Sequence, residues 1–319
     1  IVTTFVQFLE TAVGANNKML KKFHAFKDAV ILMDEVQAVD IKYFKLLEYV
    51  FKELSEELNC HIIIMTATKP LFFPDAFELL EDHEKYFNMF NRTKLVCNID
   101  SCMTVKEFAD YFSDKIEDKS YMIVVNTISQ SLDLYGFLQE NLGTFNEYGH
   151  KLKYLSTNLI PLHRKQRIDE IEKNLNKEKI ILVSTQVVEA GVNLDFDEVY
   201  RDLAPLDSII QCAGRCNRNN RGFTGKVNVV KMVGDDGSTF GEKIYGFDII
   251  DIVSKILESH DEIEERNYLQ LIDEYYQKIR IKKSQQVSKK FISSIEKLNF
   301  DENDRYEIGK FSLVDEVNG

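Results

Sequence analysis

Short apolar runs alternate with amphipathic stretches over the first 232 residues. Ala29-Val30-Ile31-Leu32-Met33 is a continuous apolar run that ends in Asp34-Glu35-Val36-Gln37. Such a run predicts a parallel-sheet strand buried on both faces. Tyr43, Leu46, Leu47, Val50, Phe51, Leu54 and Leu58 follow in steps of three and four, the pattern of an amphipathic helix. His61-Ile62-Ile63-Ile64-Met65 is a second buried strand, ending in Thr66-Ala67-Thr68. Thr3 or Thr4 is placed to cap a helix through Phe5 to Leu9. The pattern blurs from Phe72 to Ile99, which predicts an irregular connector with one or two short helices and a boundary near residue 98.

The alternation then resumes. It predicts a helix over Val105 to Ile116, a strand over Tyr121 to Asn126 and a helix over Thr127 to Asn141. A strand over Leu152 to Ser156, a helix over Arg164 to Leu175 and a strand over Lys179 to Ser184 come next. Glu198 to Leu203 is a short strand, Gln211 to Arg218 a helix and Gly225 to Met232 a closing strand. After Met232 the rhythm gives way to helices at Ile249 to Leu257, Tyr268 to Ile279 and Val287 to Leu298. The expected fold class is α/β with parallel sheets. It consists of a partial first lobe over 1–98, a second lobe over 99–233 and a mostly helical region over 234–319.

Composition narrows the function. Apolar residues make up 44% and charged residues 29%, as in a globular protein with real cores. No apolar run reaches the length of a membrane span, and no partnership with a membrane is expected. Five cysteines form no disulfide framework and suit a reducing, cytoplasmic setting. Their spacing is not that of a zinc ribbon, and Cys216 lies between two arginines that would repel a cation. The net charge of −12 argues against a surface that coats nucleic acid. Yet Pro161 to Val230 carries eleven Lys/Arg against ten Asp/Glu, so a local groove stays open.

Several residues suit phosphate chemistry. Asp34, at the end of its strand, is the natural Mg²⁺ holder, and Glu35 the natural base or positioner for a water. Adjacent strands would bring both near Thr66 and Thr68. Gln211, Arg215 and Arg218 are spaced to share one helix face, and two guanidiniums there suit a triphosphate. His163 and Arg164, at a helix start, are placed to meet a phosphate.

Asp34-Glu35-Val36-Gln37, Thr66-Ala67-Thr68, Thr185 to Asp195 and Gln211 to Arg218 resemble helicase motifs II, III, V and VI of superfamily 2. The likeness is closer to the CRISPR-associated helicase-nuclease of type I systems. There Thr3-Thr4-Phe5-Val6-Gln7-Phe8, Lys22-Phe23-His24, Val188 to Asp197 and Ala213 to Arg218 have counterparts. The resemblance implies tandem RecA-like lobes, with ATP and Mg²⁺ between them. It implies 3′ to 5′ movement on single-stranded DNA in CRISPR interference, and recruitment by an RNA-guided surveillance complex. By the resemblance, Asp34, Glu35, Gln211, Arg215 and Arg218 are catalytic, with Asp34, Arg215 and Arg218 on the nucleotide and Asp34 with Glu35 on the metal. Gln37, Thr66, Thr68, Thr185, Gly191 and Asp195 couple nucleotide to DNA. Thr3, Thr4, Thr127, His163, Arg164, Thr185 and Gln186 contact nucleic acid.

There are departures from the family pattern. The 319 residues hold no G-x-x-x-x-G-K-[ST] loop and no His-Asp nuclease pattern. Residue 193 is Asn and residue 212 is Cys where many relatives have Asp and Arg. The chain is therefore expected to be the C-terminal part of a larger helicase, inactive toward ATP by itself. Two other readings remain: another superfamily 2 translocase of restriction or repair, or a non-catalytic module that binds nucleic acid or protein.

Overall fold

The computed structural model describes residues 2–36, 39–66, 76–80, 82–144, 146–189, 191–282, 286–300 and 306–313. The chain divides into two compact units, Ile1–Glu78 with Arg280–Gly319, and Leu79–Ile279.

The first unit opens with α1 (Phe5–Ala12) and a short α2 (Asn17–Leu20). Thr4 caps α1: its hydroxyl accepts the Gln7 N–H at 3.3 Å. β1 (Val30–Asp34), α3 (Phe44–Leu58) and β2 (His61–Met65) then make one βαβ unit, with β1 and β2 parallel and Asp34 opposite Met65. The apolar stripe of α3 is its inner face: Leu46 and Leu47 have no solvent exposure. Asn59 ends the helix in the left-handed region, at φ 52°, a conformation Asn tolerates.

β1 departs from the expectation of burial on both faces. Ile31 and Met33 face the core, whereas Val30 and Leu32 are each 63% exposed. The sheet of this unit has two strands among the described residues, and only one of its faces is packed. The core is completed from the far end of the chain by α12 (Gln286–Glu296), whose Phe291 packs against Tyr43 and Phe311.

The second unit contains α4 (His83–Met89), β3 (Thr93–Met103), α5 (Val105–Ser113), β4 (Tyr121–Val124) and α6 (Ile128–Thr144). β5 (Lys151–Leu155), α7 (Pro161–Asn174), β6 (Ile180–Ser184), β7 (Glu198–Asp202), α8 (Leu206–Ala213) and β8 (Gly225–Met232) continue it. Then follow α9 (Phe240–Tyr245), α10 (Phe247–Leu257), β9 (Glu262–Glu264) and α11 (Tyr268–Lys282). The strand order is β5-β6-β4-β7-β8-β3-β9, with every pair parallel except β3 with β9. β4 and β6 are buried at every position, which is why they read as unbroken apolar runs.

The expected boundaries at 98 and 233 do not coincide with these units. Residues 93–103 form β3, the longest strand, which lies beside β8 instead of marking a connector. Polar residues interrupt its apolar pattern, and its pairing shifts register between Asn98 and Cys102. The helical tail is shared: 234–279 belongs to the second unit and 280–319 to the first.

Candidate functional site

In the first unit, parallel pairing puts the acid pair at the C-terminal edge, where open α/β sheets bind ligands. Asp34 ends β1 and is exposed. Glu35 takes a left-handed backbone, φ 56°, and its N–H donates to the Met65 carbonyl at 3.0 Å. That bond fixes the acid pair beside Thr66, which follows Met65 directly. Gln37 and Thr68 lie outside the described residues. Two adjacent carboxyls suit Mg²⁺, which binds through one or two carboxylates and completes its shell with water and phosphate oxygens. No group of three or more His, Cys, Asp or Glu able to hold a metal occurs among the described residues. Thr3 and Thr4 sit at the start of α1, where the Thr3 hydroxyl donates to Gln7 Oε1 at 3.0 Å.

In the second unit, the ends of β4, β5, β6 and β7 lie side by side. Thr127 follows β4, and its hydroxyl accepts the Gln130 N–H at 3.1 Å, a capping bond. His163 is exposed in the first turn of α7, and Arg164 beside it is half-buried. Thr185 is only 2% exposed, with its hydroxyl on Ser156 Oγ at 3.4 Å. A nucleic-acid contact through that side chain is therefore not available in this conformation. Gln186 is committed within the unit too: its Nε2 donates to the Asn126 carbonyl at 2.8 Å and to Tyr245 Oη at 3.0 Å.

The expected helix over Gln211 to Arg218 is corrected. α8 runs from Leu206 to Ala213, so it holds Gln211 but neither arginine. Gly214 ends it, the Arg215 N–H turns back to the Cys212 carbonyl at 2.9 Å, and Asn217 is left-handed at φ 42°. The three side chains do not share one helix face. Arg215 donates from Nε to the Val188 carbonyl at 3.1 Å and from Nη2 to the Glu189 carbonyl at 2.8 Å. Arg218 is exposed, and its position is set by its backbone: its N–H donates to Asp195 Oδ1 at 2.8 Å. Asp195 also accepts the Asn219 N–H at 3.2 Å and the Asn219 amide at 2.8 Å. Gly191, at φ 74°, supplies the left-handed turn between these parts of the loop. Thr185 to Asp195 and Gln211 to Arg218 thus form one hydrogen-bonded body.

Sequence reasoning missed Arg221 and Arg201. Arg221 pairs with Asp197 at 2.7 Å and Asp195 at 3.3 Å. Arg201 has no solvent exposure and pairs with Glu189 at 3.0 Å. A signal existed: Arg201-Asp202 ends a strand flanked on both sides by strands, where charges occur only when paired. Burial pushes Asp202 up to about 6, even though its two oxygens accept four N–H bonds. The buried thiols of Cys212 and Cys216 are held protonated by desolvation, which suits packing and not metal binding.

The second unit is thus a parallel-stranded α/β lobe of RecA-like fold, in which a glycine-bearing loop is hydrogen-bonded to an arginine turn at the C-terminal edge. A family model described as "CRISPR-associated nuclease/helicase Cas3, C-terminal" matches residues 117–221. The Cas3 nuclease/helicase of Methanothermobacter thermautotrophicus is 25% identical over 259 residues, covering 76% of this chain and 30% of the relative. The structure of T. fusca Cas3 with AMPPNP superposes with a TM-score of 0.71 at 16% identity, over 97% of this chain and 43% of that one. A structure titled "CRISPR RNA-guided surveillance complex, pre-nicking" gives a TM-score of 0.67 at 17% identity, over 86% and 40%. The resemblance read from the motifs holds: the chain is similar to the helicase portion of Cas3. It spans about a third of the length of the curated relatives it matches. No helix among the described residues is long and apolar enough to cross a membrane.

Proposed function

We propose that this chain is the helicase portion of a cytoplasmic, ATP-dependent 3′ to 5′ translocase on single-stranded DNA that serves CRISPR interference with an RNA-guided surveillance complex. The observation that supports it most is the tie between the two blocks of the second unit. Asp195 holds the backbone of Arg218, and Arg215 holds the loop before Asp195. A motor needs such a tie, because a change at phosphate must be felt at nucleic acid. Arg218 is the finger candidate, since its guanidinium is exposed while its backbone is fixed. Arg215 is committed to two carbonyls, so a role on phosphate requires it to exchange those bonds. Asp34 and Glu35 would hold Mg²⁺, which when bound neutralises charge on the phosphates. His163 and Arg164 are the exposed and half-exposed candidates for strand contact, whereas Thr185 and Gln186 act by shaping the loop. Because the 319 residues carry no phosphate-binding loop, the reading places ATP turnover in a longer protein that includes one.

The test is Arg218→Ala in such a longer protein. DNA-stimulated phosphate release should fall by ~10²-fold or more, with single-strand binding retained. An unchanged rate at saturating DNA overturns the finger assignment, and loss of DNA binding with the rate intact would move Arg218 to the nucleic-acid side.

A further inference from the structure

The buried guanidinium of Arg201 is the hub of a polar cluster that no motif of the sequence predicted. Nη1 donates to Asn126 Oδ1 at 2.8 Å and to the Asp202 carbonyl at 3.1 Å. Nη2 donates to Glu189 Oε1 and to Ser208 Oγ, each at 3.0 Å. The Ser208 hydroxyl donates to the same Glu189 oxygen at 2.6 Å. One side chain therefore gathers the end of β4, the loop after β6, β7 and the first turn of α8.

A buried ion pair by itself is weak grounds for a role, since apolar replacements often fold as well or better. The identity of the partners is what matters here. Asn126 precedes Thr127, Glu189 closes the loop that begins at Thr185 and Gln186, and Ser208 lies one turn before Gln211 on α8. Glu189 is also gripped a second time: its carboxylate by Arg201, its carbonyl by Arg215. The carboxyl is raised by burial, against the lowering pull of Arg201 and Ser208.

We propose that Arg201 is a positioning residue that, through Glu189, locks the loop carrying Thr185 and Gln186 in register with α8 and the arginine turn after it. The assignment of those two segments to nucleic acid and nucleotide rests on the function proposed above; the mechanical coupling between them does not. Arg201 touches neither ligand. It makes the two segments move as one body, so that exchange of the Arg215 bonds shifts a loop that is still tied from beneath.

The experiment uses the 319-residue chain with Arg201→Met combined with Glu189→Leu, which removes the two paired charges together and leaves the neighbouring Asp202 carboxyl with its four N–H donors. Three quantities are read: the unfolding midpoint, amide hydrogen exchange, and binding of a labelled single-stranded oligodeoxynucleotide. The expected result is a retained midpoint with exchange raised about tenfold or more in both 186–189 and 206–213, and unchanged in β6 and β8. Oligonucleotide affinity falls several-fold. Exchange that rises only within β7, with the loop and α8 as in the wild type, overturns the proposal. Should the double variant not fold, Ser208→Ala, which keeps both charges, decides by the same exchange pattern. A wild-type chain that binds no oligonucleotide, with exchange rising in both segments of the variant, would uphold the coupling and sink the nucleic-acid reading instead.

Discussion

At the scale of a residue, Asp202 shows how burial and hydrogen bonding oppose each other. Its Oδ1 accepts the backbone N–H of Leu203 and Met232, and its Oδ2 the amides of Asn126 and Gln130. Neither amide is free to flip, because Asn126 Oδ1 receives Arg201 and Gln130 Oε1 receives the Asn126 N–H. Desolvation still pushes the carboxyl from an ordinary 3.8 up to about 6. Between those values the folded chain binds more proton than the unfolded one. The contribution of this group to stability is therefore greatest below about 4 and is lost as pH rises through about 6, by ~3 kcal/mol at most. Asp202→Asn should remove that slope from a plot of urea stability against pH. It should also cost about 1–3 kcal/mol at pH 7, because an amide nitrogen would face donors in either orientation.

At the scale of an element, the turn between α8 and β8 is set by close packing. A Cβ on Gly225 would lie 2.5 Å from Cys216 Sγ and 3.0 Å from Asn217 Cβ. Cys216 cannot retreat easily, since it is buried with its thiol on the carbonyls of Asp197 and Lys226, each at 3.5 Å. Gly225→Ala should destabilise the second unit by about 1–3 kcal/mol through overpacking. Cys216→Ala in the same chain should return part of that loss, and a double-mutant cycle on thermal midpoints measures the coupling. Strict additivity would mean that the turn relaxes in some other way. That α8 stops at Ala213, ahead of this turn, is what the spacing of Gln211, Arg215 and Arg218 could not reveal.

At the scale of the molecule, the first unit is discontinuous in sequence. Phe291 of α12 meets Tyr43, Tyr306 and Phe311 at ring-centroid distances of 6.4, 5.4 and 5.1 Å. Phe291→Ala should cost about 3–5 kcal/mol. Amide exchange over α1 and α3 should rise, while that over β4, β6 and β8 stays as in the wild type. An equal rise in both units would mean that they unfold together.

The apolar runs by themselves determined β2, β4, β5, β6, β7 and β8 to within about two residues, and the parallel α/β class with them. In β4 and β6, which are buried at every position, no charged residue confuses the pattern. The acid pair at the end of β1 and its neighbour Thr66 were legible for a related reason: parallel pairing brings successive strand ends to one edge. Three features needed the tertiary structure. β3 has polar interruptions and a register shift, so its place beside β8 depends on a partner more than a hundred residues away. The open face of β1 depends on what packs against it, and Val30 and Leu32 look the same in sequence whether covered or bare. Arg201 and Glu189 are ordinary charges in the chain; only the approach of β4, β7, α8 and the loop after β6 makes them a buried pair. Local periodicity records which face of an element is apolar, and long-range contact decides what that face meets.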